Sequence, residues 1–123
     1  MIDEFNDFPW HDSELIELTV NRENPGKRDE VVLLIRSRDG EVSRFTFTDC
    51  YAFECLMNFG VVAPETIRNG CCSNDSAELD RIRERWQGAG VDLGKLMCFE
   101  IVTNSTNSTI KIFAIDFSWR LVA

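Results

Sequence analysis

Glu30-Val31-Val32-Leu33-Leu34-Ile35-Arg36-Ser37-Arg38-Asp39-Gly40-Glu41-Val42-Ser43-Arg44-Phe45-Thr46-Phe47 is the stretch from which the fold follows. Its first half carries the continuous apolar run Val31 to Ile35, the length of a buried strand. Its second half alternates, with Phe45 and Phe47 on one face and Arg44, Thr46 and Thr48 on the other. Asp39-Gly40 separates the two, and this dipeptide predicts a two-residue type I′ hairpin because both positions there need positive φ. Two antiparallel strands, about 30–38 and 41–47, are the expectation.

Upstream, Leu15 to Val20 places Ile16, Leu18 and Val20 on one face with period two. Asn24-Pro25-Gly26-Lys27 supplies a reversal, since Pro fixes φ and Gly accepts positive φ. A three-stranded meander therefore opens the domain. Downstream, Tyr51, Phe53, Cys55 and Met57 alternate like a strand, while Ala52, Cys55, Leu56 and Phe59 fit a helical stripe. Asp49 to Asn58 is read as extended or irregular, and Pro64 and Gly70 bracket a stretch without a clear period.

From Asp75 the period changes. Leu79, Ile82 and Trp86 form an i, i+3, i+7 stripe among charged residues, the pattern of an amphipathic helix. Asp75 with Glu78 resembles a capping box, and Gly88 or Gly90 supplies the stop. Two strands, about 96–103 and 109–121, flank the polar turn Asn104 to Ser108. Ile110, Ile112, Ala114 and Asp116 share one face, and Phe113, Ile115, Phe117 and Trp119 make the last strand apolar on both sides, as an inner strand would be. The fold expected is α+β: a single domain over 1–123, with a mainly antiparallel sheet of five to six strands and one principal amphipathic helix packed on one face.

Composition sets outer limits. Of 123 residues, 44% are apolar and nine are Phe, enough for a packed core without disulfide or metal staples. No run approaches the ~20 apolar residues of a membrane-spanning helix. The N-terminus lacks a basic region and a long apolar stretch, so the expectation is a cytoplasmic chain with no membrane partner. In that setting the two Asn-Ser-Thr triplets at 104–106 and 107–109 are turn chemistry. Five cysteines, with no Cys-x-x-Cys pair and only His11 to join them, suggest no metal, no cofactor and no disulfide framework. Cys71 and Cys72 read as small structural thiols.

Net charge is −8, and the first 21 residues hold Asp3, Glu4, Asp7, Asp12, Glu14 and Glu17 without a Lys or Arg. An acidic surface at one end repels nucleic-acid phosphates and attracts a basic protein, although it also serves solubility.

The one motif that invites chemistry is Trp10-His11-Asp12-Ser13-Glu14-Leu15. A carboxylate beside a histidine can orient the ring and raise its basicity, which makes His11 and Asp12 the catalytic candidates. Adjacent residues in extended chain point in alternate directions, so proximity in sequence does not build a triad. The better reading is structural: Asp12 or Ser13 satisfies backbone groups at the strand entrance while Trp10 packs beneath the sheet. As a binding surface, the candidates are Trp10, His11, Asp12, Glu14 and Glu17. Phosphate loops, nucleophile elbows and zinc-protease motifs are missing, and nothing in the spacing of Asp49, Glu54 and Asp116 requires a cation.

Trp10 to Leu15, the strand Asp29-Glu30-Val31-Val32-Leu33-Leu34-Ile35 and the strand end Phe45-Thr46-Phe47-Thr48-Asp49-Cys50 resemble a loose group of small bacterial proteins of unknown function that carry a His-Asp-Ser-x-Leu motif. Some of these are similar to proposed immunity proteins of polymorphic toxin systems. The resemblance spans the first half of the chain. It implies a cytoplasmic α+β protein without assigned catalytic residues and favours binding over chemistry. Three functions follow: a non-catalytic protein-binding module, of the immunity type, for a basic partner; a small enzyme or ligand binder using His11; and a homo-oligomeric structural protein joined through sheet edges. A monomer or homodimer fits each.

Overall fold

A computed structural model describes residues 1–122. The short helix α1 (Ile2–Asn6) leads into β1 (Glu14–Asn24), β2 (Arg28–Arg36), β3 (Val42–Leu56) and β4 (Ile67–Ser73). Helix α2 (Ala77–Gln87) then precedes β5 (Met97–Thr103) and β6 (Thr109–Leu121). The strands form one sheet in the order β1-β2-β3-β6-β5-β4, antiparallel throughout. The α+β class, the antiparallel sheet and the meander at 14–56 agree with the sequence reading. Among the described residues there are two helices, the short α1 and the longer, amphipathic α2.

The sheet curls until its two edges meet. Glu14 at the start of β1 bridges Thr66, just before β4. The Leu15 amide donates to the Glu65 carbonyl at 2.8 Å, and the Ile67 amide to the Ser13 carbonyl at 2.7 Å. The main core fills the enclosed face: Val31, Leu33 and Ile35 from β2, Phe45 and Phe47 from β3, Phe99 and Ile101 from β5, and Ile110, Ile112 and Phe117 from β6. Phe5 of α1 is fully buried within it, its ring 6.3 and 6.2 Å from Phe45 and Phe47, 5.1 Å from Phe99 and 5.4 Å from Phe117. The principal core thus lies opposite the face that the long helix covers.

On that other face, α2 lays Leu79, Ile82 and Trp86 against Phe113, Cys98, Tyr51 and Ile115. The stripe expected from the period is the one that faces the sheet, with Leu79 buried and Ile82 and Trp86 half-buried. Its cap differs: Ser76, not Asp75, is the N-cap, its Oγ accepting from the Leu79 amide at 3.1 Å, and Glu78 reaches instead to Lys111. Among the glycines that follow, Gly90 takes φ +82 and completes the exit. Both faces of the central strand β6 are therefore apolar.

Two local expectations are corrected, and a third, the extended or irregular reading of 49–58, is made specific. Only Gly40 of the Asp39-Gly40 pair has positive φ, and the loop spans Ser37 to Glu41, because the Asp39 carboxylate accepts from Ser37 Oγ and from the Glu41 amide and holds a wider turn. In β1, Ile16 does not share the inner face; a bulge between Leu15 and Glu17 displaces it to solvent, so Leu15 and Leu18 face inward opposite Ile35 and Leu33. The ambiguous 49–58 segment continues β3 to Leu56, with irregular register between Cys50 and Ala52 and with Asp49 at φ +52. The kink explains the mixed pattern: inward side chains step from Phe47 to Cys50 to Phe53, three residues apart instead of two.

Candidate functional site

The N-terminal segment is built into the scaffold. Trp10 is 3% exposed, its ring 4.7 Å from Phe5 and 4.9 Å from Phe45, and its indole N–H donates to the Phe5 carbonyl at 2.7 Å. Ser13 is fully buried and its Oγ donates to the Trp10 carbonyl at 2.6 Å. Asp12 sits at φ +64 between them, and its amide donates to the Ile67 carbonyl at 2.9 Å. Farther back, Asn6 takes both backbone groups of Cys72, accepting from its amide at 2.7 Å and donating to its carbonyl at 3.4 Å. Segment 6–15 thereby satisfies polar groups along the outer edge of β4, a row that would otherwise stand open.

His11 and Asp12 do come together, with Nε2 3.4 Å from Asp12 Oδ2. The His11 side chain is 71% exposed, and its Nδ1 stands 3.4 Å from the Arg68 carbonyl. Neither residue lines either of the two concavities described below. The neighbouring hydroxyl, Ser13, is turned into the interior, so the motif does not assemble nucleophile, base and orienting acid around a substrate space. As for the binding candidates, Trp10 is buried and out of reach of a partner, Glu14 is held by Arg36 at 2.9 Å, and His11, Asp12 and Glu17 stand at the surface.

Two concavities exist elsewhere. A cleft of about 470 Å³ opens where β2 and β3 part beyond the Val31–Phe47 pair. Val20, Val31, Phe53 and Trp86 contribute apolar wall, and the charges there include Arg22 and Asp29, which pair with each other at 2.9 Å. Its thiol, Cys50, is pushed up to about 11 by burial. Burial likewise raises Cys98 to about 11 and Cys72 to about 12, so these three remain protonated at neutral pH and make poor nucleophiles.

The second concavity, about 280 Å³, runs between β1 and the 57–65 connection. This connection is pinned at both ends to the β5–β6 turn. The Asn58 amide donates to Ser108 Oγ at 2.9 Å and Asn58 Nδ2 to the Thr106 carbonyl at 3.0 Å. Glu65 accepts from the Thr106 hydroxyl and amide, and Ser105 Oγ donates to the Pro64 carbonyl at 2.6 Å. Between these anchors Phe59 is 84% exposed, Val61 half-exposed and Val62 fully so. Sequence reasoning passed over this feature, although the cue was present: Phe59-Gly60-Val61-Val62 is an apolar run inside a segment with no helical or strand period.

No protein-family model matches this chain, and no curated protein matches its sequence. Among the described residues, no group of three or more His, Cys, Asp or Glu is placed to hold a metal ion, and no helix is long and apolar enough to cross a membrane.

Proposed function

We propose that this chain is a non-catalytic protein-binding module that engages a basic protein through its acidic N-terminal surface. The observation that carries the reading is the fixed display of acids. Asp3, Glu4, Asp7, Asp12 and Glu17 are exposed on a stretch anchored by Phe5 and Trp10, which are buried in the core. Carboxylates held in place on a rigid scaffold steer a cationic partner and lose little entropy when it docks. The resemblance of the first half to small bacterial proteins, some of them like proposed immunity proteins, supports the same reading and suggests a toxin such as a basic nuclease as the partner. His11 and Asp12 then belong to the binding surface and the turn.

The test is co-purification from lysate of the source cell, beside a variant carrying Asp3→Asn, Glu4→Gln and Asp7→Asn. The expected result is a basic protein retained by the native chain at low salt, released as ionic strength rises and held less by the variant. Recovery of nothing above background, or equal retention by both chains, contradicts the proposal.

A further inference from the structure

We infer that the groove between β1 and the 57–65 connection is where an extended, basic and apolar segment of a partner protein docks. The inference deepens the protein-binding reading and rests on it.

Three features of the groove converge on that occupant. The first is its chemistry. Leu15, Leu18, Met57, Phe59 and Val61 supply apolar wall, and the only charged residues lining it are Glu17 and Glu65, both acidic. A segment that buries aliphatic side chains here meets negative charge without a balancing Lys or Arg in the lining, which selects for cationic residues on the incoming chain.

The second feature is the backbone. β1 is an edge strand, and beyond the Glu14–Thr66 bridge its outer side pairs with no other strand among the described residues. Such an edge presents unpaired amides and carbonyls, and an extended chain satisfies them by adding as a strand. The other outer edge, that of β4, is occupied by Asn6, Asp12 and Ser13. The chain therefore covers one of its two edges and leaves the other beside an apolar groove.

The third feature is preorganisation. An apolar loop that was free to collapse would fold Phe59 onto the nearest core. Here Asn58 and Glu65, at its two ends, are hydrogen-bonded to the β5–β6 turn, and Phe59 stays 84% exposed. Large apolar side chains held out in this way contribute to binding at small entropic cost.

The probe is a set of synthetic peptides, each added to the full chain labelled with nitrogen-15 and followed by amide resonances. One peptide alternates valine and lysine, a second alternates valine and glutamate, and a third alternates glycine and lysine. The expected result is that only the valine–lysine peptide shifts the amides of Ile16 to Leu18 and Phe59 to Ala63. Glu17→Lys and Phe59→Ser, both at exposed positions, are each expected to weaken it by at least about tenfold, and Glu17→Gln to weaken it less. If basic peptides shift only Asp3, Glu4 and Asp7 and ignore the Glu17 variants, the groove is overturned while the acidic-surface reading stands. If no basic peptide binds, both fall. Equal binding of the valine–glutamate peptide, or a dimer in light scattering whose interface covers Phe59, also overturns the assignment.

Discussion

The short motif at the entrance to β1 works as a joint, residue by residue. Trp10 fills the space above Gly70, where a Cβ would stand 2.6 Å from the indole ring. Gly70→Ala is therefore expected to destabilise the fold by about 1–3 kcal/mol, since either the ring or the β4 backbone must shift in a packed interior. Urea unfolding followed by Trp fluorescence measures it, and an unchanged midpoint would show that the indole has room to move. His11→Ala removes an exposed ring and is expected to leave the unfolding free energy within about 0.5 kcal/mol of the native value. The sequence showed that Trp10 and Ser13 were structural candidates, because turn chemistry is local. It could not show Gly70, whose requirement arises only when two distant segments meet.

At the scale of elements, helix α2 is fastened by Arg83. Its guanidinium donates to the carbonyls of Asn74 at 2.9 Å, Leu96 at 2.7 Å and Leu93 at 3.2 Å, joining the segments before and after the helix. Arg83→Met keeps the aliphatic stem and deletes three charge-assisted bonds, and is expected to cost about 2–3 kcal/mol in urea melts. A loss no larger than that of Arg85→Met, on the exposed side, would deny the clamp. The Glu78–Lys111 pair at 2.8 Å adds a pH signature. Lys111 holds the Glu78 carboxyl below its usual range, so that contribution is present above the unfolded carboxyl value and vanishes as pH falls through the folded one. Glu78 in turn raises Lys111, whose share is lost only as pH climbs through the folded lysine value. Glu78→Gln should therefore cost about 0.5 kcal/mol between roughly pH 5 and 9, because water screens the pair, and match the native chain below about pH 3. A gap that persists in acid would point to packing instead. The hairpins and α2 were legible because their signals lie within a few consecutive residues. Strand β4 was not: Arg68-Asn69-Gly70-Cys71 holds no strong strand former, and the strand exists through its pairing with β5 and the cover from α1.

For the molecule as a whole, the decisive property is closure, and the sequence gives little notice of it. Alternation in each strand announces a buried face, but not that the sheet bends at Asp49 and brings Glu14 to Thr66. Closure turns the first fifteen residues from a tail into a wall, leaves their carboxylates outside, and sets β1 beside the exposed Phe59 loop. The proposed surface is legible in the sequence only as charge; its apolar half appears once the 57–65 connection is anchored. Native-state amide hydrogen exchange tests this most directly. The amides of Asp12, Leu15, Ile67 and Cys72 are expected to exchange about as slowly as those in the centre of β3 and β6, with those of Gly60 to Val62 exchanging fast. Rapid exchange at Asp12, Leu15 and Ile67 would mean that the two edges do not meet, and would contradict closure.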